Sequence, residues 1–152
     1  MMSQHERRRA AMSHAFRYQE YKAAVAQYVD SVLAMCGKAQ VRGTPISSGH
    51  RSDPTARAAI KLAEMPEPIR IKELWVRAVN DTWRELRAED KSMACLFEKN
   101  FHLTGDILGP EHNTAVRNGI VEELDISMRT FYSWLNEVTD VLVYHASRRK
   151  LL

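Results

Sequence analysis

Apolar residues recur every three to four positions along most of this 152-residue chain. That spacing lines one face of an α-helix, whereas a half-buried strand would alternate strictly between apolar and polar residues. The stretch from Val41 to Ile46 is too short and too rich in glycine and proline to be a strand. The sequence therefore predicts an all-α fold, a helical bundle of five to six helices.

Breakers and capping residues divide the chain into segments. Gly37 is typical of a helix end, and Asp53 followed by Pro54 is typical of a helix start. The prediction is a long N-terminal helix over 1–37, a basic flexible loop over 38–52, supporting helices over 53–87 and a C-terminal helical module over 88–152. The later helices are expected near 69–86, 89–101, 114–124 and 128–147.

The composition excludes a membrane protein. No apolar run approaches the roughly 18 residues that a spanning helix needs, and the N-terminal stretch lacks the apolar core of a signal peptide. The two cysteines, Cys36 and Cys95, lie far apart in the sequence and are expected to be buried thiols in a reducing compartment. We expect a cytoplasmic protein without a membrane partner.

Positive charge is concentrated in the N-terminal half. Residues 38–61 carry five basic and one acidic side chain, whereas residues 117–152 carry five of each. Two interpretations are open for the basic residues near the Asp53 cap: contacts with phosphates, or a solvated helix face. These residues are Arg51, Arg57 and Lys61. The basic run 7–9 is expected either to follow a DNA backbone or to be a disordered tail.

Enzymatic motifs are missing from the sequence. His50, His102 and His112 are not spaced as metal ligands, and Asp81 and Glu85 are interleaved with arginines, as on an exposed helix face. No serine lies in a nucleophile elbow, and no glycine-rich loop precedes a helix. We expect no catalysis, no metal and no cofactor.

Residues 117–136 have the pattern of two helices joined by a tight turn. Ile120 and Leu124 give the first helix an inner face, and Ser127 caps the second helix. Asp125 falls in the turn at a position where the backbone is left-handed and glycine is favoured. A helix-turn-helix has this organisation, and so does a plain helical hairpin with a solvated face.

The second helix is amphipathic. Its apolar face is formed by Phe131, Trp134, Leu135 and Val138. Its polar face is formed by Arg129, Tyr132, Ser133 and Asn136, with Thr130 at the margin. Arginine forms paired hydrogen bonds with guanine, asparagine does so with adenine, and hydroxyls bond phosphates or bases. The pattern thus favours double-stranded DNA as a partner.

The expected roles divide between base and phosphate contacts. Arg129 and Ser133 would contact bases in the major groove, helped by Thr130 and Tyr132. The residues expected to anchor phosphates are Arg117, Asn118 and Ser127.

The segment from Leu86 to Leu142 resembles region four of bacterial sigma factors, through "MACLFEKNF" and "DISMRTFYSWL". The wider chain resembles the RinA/ArpU-like family of phage late-gene transcriptional regulators, through "SDPTARAAIKLA", "KELWVRAVNDTWREL" and "ELDISMRTFYSWLNEV", in that order. The resemblance implies a sigma-like helix-turn-helix, activation of late genes in a bacterial host, and contact with host RNA polymerase. The family's recognition helix falls on Ser127, Met128, Arg129, Thr130, Tyr132 and Ser133, and the preceding helix on Arg117 to Leu124.

Two other functions remain open. A small terminase-like DNA-packaging subunit would also join a helix-turn-helix to oligomerising helices and would form rings. A helical interaction module would dock on RNA polymerase through the helix of Trp75 and Trp83 without contacting DNA. The apolar stripe of the last helix continues to His145 and either packs on the first helix or forms the seam of a homodimer.

Overall fold

The computed structural model describes residues 1–41, 59 and 63–152, and the regular secondary structure in that part of the chain is entirely helical. This confirms the all-α prediction. The six longer helices are α1 (Gln4–Phe16), α2 (Tyr18–Val41), α3 (Glu67–Glu89), α4 (Lys91–Asn100), α5 (Asn113–Leu124) and α6 (Met128–Arg148). A short 3₁₀ turn, Pro110–His112, leads into α5.

Helix α3 lies at the centre of the molecule and packs against α1, α2, α4 and α6. Trp75, Val79 and Leu86 are buried on its apolar face. Pro68 lies in the first turn of α3, where a backbone N–H would have no carbonyl of the helix to bond. The lack of an N–H in proline therefore costs no hydrogen bond there. Helices α1 to α6 all contribute side chains to one core, whose largest fully buried members are Trp75, Phe97, Phe101, Phe131, Leu96, Ile120 and Leu142.

The predicted single N-terminal helix is divided in two at Arg17. The backbone there has φ −97° and ψ 10°, and the Arg17 amide donates to the His14 carbonyl at 3.1 Å. The two halves pack on different partners, α1 mainly on α6 and α2 mainly on α3. The change of direction lets Ala15 in α1 and Tyr18 in α2 both be buried. One straight helix could not follow both neighbours.

The predicted stop at Gly37 is also wrong, because α2 continues through it to Val41. A glycine inside a helix costs only about 0.5–1 kcal/mol relative to alanine, which neighbouring turns can offset. The helix thus extends into the segment 38–52 that was predicted as a loop. The rest of that segment, and the predicted helix start at Asp53, lie outside the described residues.

Apolar spacing along the N-terminal residues predicts a buried stripe that includes Phe16, Tyr21, Val32 and Leu33, and only part of it is buried. Tyr21 and Val32 are buried, whereas Phe16 and Leu33 are 41% and 50% exposed. Ala11 and Ala15 are completely buried instead, because their small side chains allow α1 to lie close to its neighbours. Small residues carry little hydrophobic signal, and so the sequence did not mark this face.

The basic run 7–9 belongs to α1, so the prediction of a disordered tail is wrong. Ser3 and Glu6 form a capping box at the start of this helix, with the Glu6 amide donating to Ser3 Oγ at 3.2 Å. Arg8 donates two hydrogen bonds to Asp140 of α6, at 2.7 and 2.6 Å. The hydrogen bonds from Arg8 hold the pKa of Asp140 below its usual value. Helix α1 is therefore tied to α6.

Helix α6 packs within the same chain along most of its length. Val138 and Leu142 are fully buried. His145 lies 2.7 Å from Glu85, and Arg149 pairs with Asp81, so the C-terminal half of α6 runs antiparallel to α3. The apolar stripe of α6 packs against α1 and α3 of the same chain. This contradicts the interpretation of that stripe as a free homodimer seam.

No described helix combines the length and apolar character needed to cross a bilayer. Within the described ranges, histidine, cysteine and carboxylate side chains form no group of three or more that could hold a metal ion. Cys95 is half-buried, and burial raises the pKa of its thiol.

His14 is a half-buried ring at the junction of α1, α2 and α3. It stacks on Trp75 with the ring centroids 4.1 Å apart, and its Nδ1 lies 2.7 Å from the Tyr21 hydroxyl. Burial, with a smaller contribution from the Arg17 charge, lowers the pKa of His14 below its ordinary value. The folded protein therefore resists protonation of this ring.

We expect the free energy of unfolding to decrease as the pH falls below about 6.5, because the unfolded chain then binds a proton at His14 that the folded chain does not. His14→Gln should reduce this slope between pH 7.5 and 5.5, measured by urea denaturation. Ser13→Ala changes a neighbouring exposed residue without a titrating group and should retain the wild-type slope. An unchanged slope in His14→Gln would contradict the prediction.

Candidate nucleic-acid interface

The turn between α5 and α6 has the backbone geometry that the sequence predicted. Asp125 is left-handed, with φ 51° and ψ 50°. The Ile126 amide donates to the Val121 carbonyl at 3.1 Å, which closes the end of α5. Ser127 Oγ accepts from the Thr130 amide at 3.1 Å and caps α6. These contacts fix the angle between α5 and α6. We call residues 113–136, which form these two helices up to Asn136 and the turn between them, the helical corner.

Replacing Asp125 with glycine should raise the free energy of unfolding by about 0.5–1 kcal/mol, because glycine adopts positive φ without strain. The Asp125 carboxylate makes no hydrogen bond within the described residues, so little is lost with it. Asp125→Val should lower the stability, since a β-branched side chain strains this conformation further. Urea denaturation followed by circular dichroism measures both. A destabilised glycine variant would show that the turn is held by something other than backbone geometry.

Both helices of the corner pack on α4. Ile120 from α5 and Phe131 from α6 are buried, and Val121, Leu124 and Ile126 are partly buried against the core. The back of the corner is therefore apolar and enclosed, as the sequence predicted. The three helices pack together, and the polar face of α6 stays exposed to solvent.

The front of α6 is exposed to solvent. Arg129, Ser133 and Asn136 are exposed, Tyr132 is 44% exposed, and Met128 is 37% exposed. These five lie on the polar face predicted for the recognition helix or beside it. None is covered by α1, although α1 packs along the same helix.

Two of the predicted contact residues are engaged with each other. The Ser127 hydroxyl donates to Thr130 Oγ1 at 2.9 Å while accepting from the Thr130 amide. Thr130 is half-buried. Both hydroxyls thus form hydrogen bonds that stabilise the start of α6. A phosphate that contacted either hydroxyl would have to compete with these hydrogen bonds or add to them.

Arg117 connects the two helices across the corner. Its guanidinium lies 5.4 Å from the centroid of the Tyr132 ring, within the range of a cation–π interaction. Asn118, the other residue of α5 expected to contact phosphate, is exposed. The stack orders the Tyr132 side chain at the edge of the exposed face, a contact that sequence spacing did not reveal.

Acidic groups near the corner are partly neutralised. Asp140 lies about one helical turn from Asn136, and Arg8 pairs with it from α1. Glu123 pairs with Lys99 of α4. Arg117 and Glu123 are three residues to either side of the buried Ile120, so they project from different sides of α5. The arginine therefore faces α6 and the glutamate faces α4.

The remaining predicted phosphate contacts, Arg51, Arg57 and Lys61, lie outside the described residues. The two tryptophans expected to dock on a polymerase differ in accessibility. Trp75 is only 2% exposed. Trp83 is half-buried with the Arg87 guanidinium 4.6 Å from its ring centroid. A docking surface that requires Trp75 is excluded.

Comparison with known proteins gives no further assignment: no family model, no curated protein and no solved structure matches the chain.

Proposed function

We propose that this protein binds double-stranded DNA sequence-specifically through the helical corner and acts in transcriptional regulation. The observation that supports this most is the exposed polar face of α6, which is backed by the buried Phe131 and Val138. A helix of this kind has the dimensions to enter the major groove, which is about 12 Å wide.

The proposed contacts follow from side-chain chemistry. Arg129 has the paired donors that match the O6 and N7 acceptors of guanine. Asn136 lies seven residues later, two helical turns along the same face, and its amide matches the N6 and N7 edge of adenine. Ser133 lies between them and would donate to a base or a phosphate.

Electrostatic attraction contributes little to this proposal. Residues 113–140 contain two arginines and no lysine, against five carboxylates. Non-specific affinity for DNA increases with the number of phosphates that a protein neutralises. We therefore expect the corner to bind random duplex weakly and to depend on base contacts for affinity.

The resemblance to phage late-gene regulators supports a more specific proposal. The bound DNA would be a late promoter, and host RNA polymerase would be the second partner. The protein would then act as an activator in the bacterial host.

Selection of bound duplexes from a random-sequence pool tests the proposal directly. We expect enrichment of a short motif that contains guanine, followed by tighter binding of the selected duplex than of its scrambled version in fluorescence anisotropy at one salt concentration. Equal binding of both duplexes would contradict sequence-specific binding. Light scattering on the same sample distinguishes a regulator from a packaging subunit, since a ring of many copies would favour the packaging function.

A further inference from the structure

A cavity of about 210 Å³ lies behind the helical corner and is partly open to solvent. It is enclosed by α1, α4, α5 and α6, and its lining residues are Met12, Phe16, Asn100, Asn113, Val116, Arg117 and Leu135. Its volume corresponds to about seven water molecules at about 30 Å³ each. It could therefore hold a molecule of about eight non-hydrogen atoms.

The polar groups of the lining have unused hydrogen-bonding capacity. The side-chain amides of Asn100 and Asn113 make no hydrogen bond with the described residues. Arg117 stacks on Tyr132 but pairs with no carboxylate in the described part of the chain. Three side chains whose donors bond no described residue thus line one cavity, and an arginine in such surroundings favours an anionic ligand.

The charge of the lining agrees with this. Arg117 is its only ionised residue, since no aspartate, glutamate or lysine lines the cavity. A second cleft, beside α4 and α5, is lined by three carboxylates, Glu98, Asp106 and Glu123, against one lysine, Lys99, which pairs with Glu123, so this cleft is less favourable for an anion. The remaining surface of the cavity is apolar and is contributed by Met12, Phe16, Val116 and Leu135.

We infer that this cavity is a binding site for a small carboxylate with a short apolar chain. The carboxylate would accept hydrogen bonds from Arg117 and from the amide groups of Asn100 and Asn113, and the chain would contact the apolar wall. A free phosphate fits less well, because it would leave that wall uncovered. The inference goes beyond DNA binding and does not depend on it.

The test uses 4-methylpentanoate as the probe and its neutral amide, 4-methylpentanamide, as the matched comparison. Titration of the ¹⁵N-labelled protein without DNA is followed by NMR, in which the side-chain amide signals of asparagine are resolved. We expect the acid to shift the signals of Asn100 and Asn113 with a dissociation constant of about 1 mM or tighter. The amide should bind at least about tenfold more weakly, since it cannot form a charged pair.

Arg117→Gln should weaken binding of the acid about tenfold or more while leaving the weak binding of the amide nearly unchanged. Arg148→Gln is the matched control, because Arg148 also stacks on a tyrosine, at 5.7 Å from the Tyr144 ring, but does not line the cavity. Circular dichroism of each variant confirms that it is folded. Equal affinity for acid and amide, equal loss in both variants, or no signal shift at tens of millimolar probe would overturn the inference.

Discussion

Replacing Phe131 with alanine should lower the free energy of unfolding by about 3–5 kcal/mol, the usual cost of removing a buried aromatic ring. The Phe131 side chain is fully buried at the point where α6 leaves the turn. Its removal leaves a cavity between α6 and the helices behind it. Urea denaturation followed by far-UV circular dichroism measures the change. The more conservative Phe131→Leu should lie between the wild type and the alanine variant, because it retains part of the buried volume.

Tyr132→Ala is the matched control, because it removes a ring of similar size from the next position of the same helix. Tyr132 is 44% exposed, so we expect a loss of about 1 kcal/mol or less. Equal losses at the two positions would mean that α6 is rotated about its axis relative to the orientation described. That result would also contradict the proposed DNA interface, since the polar face would then point inward.

Replacing Arg129 with alanine should weaken binding of the selected duplex by about 1–3 kcal/mol, roughly 5- to 150-fold. The side chain is exposed on α6 and makes no hydrogen bond, ion pair or ring contact with the described residues, so the protein should remain folded. The variant should also discriminate less between guanine and the other bases at one position of the motif. Fluorescence anisotropy with duplexes substituted at each position measures both effects.

Arg148→Ala serves as the control, because it removes the same charge from an exposed position at the other end of α6. Its effect should be small and the same for all sequences. If Arg129→Ala retained full affinity and specificity, Arg129 could not be the base-contacting residue. Equal losses in the two variants would indicate general attraction by positive charge.

The later helices were predictable because their signals are local. The Asp90 carboxylate accepts from the Ser92 amide at 2.9 Å and starts α4, and Ser127 starts α6 in the same way. The apolar spacing around Ile120 and Phe131 predicted which faces are buried. The left-handed Asp125 followed from the length of the turn. These features depend on residues within about two turns of each other.

The N-terminal helices were not predictable in this detail. No proline or glycine marks the break at Arg17, which arises because α1 and α2 follow different neighbours. The burial of Ala11 and Ala15 likewise depends on how closely the neighbouring helices approach α1. In the candidate interface, the stack of Arg117 on Tyr132 depends on the angle between α5 and α6. Such contacts are determined by tertiary packing, which residue spacing along the sequence does not specify.

The hydrogen bonds between Arg8 and Asp140 join residues 132 positions apart. During synthesis on the ribosome, α1 is made before α6, the helix on which it mainly packs. Contacts between such distant residues slow folding, because a large loop must close before they form. The contact between α1 and α6 therefore forms late in folding, because it requires the helices that lie between them in the sequence.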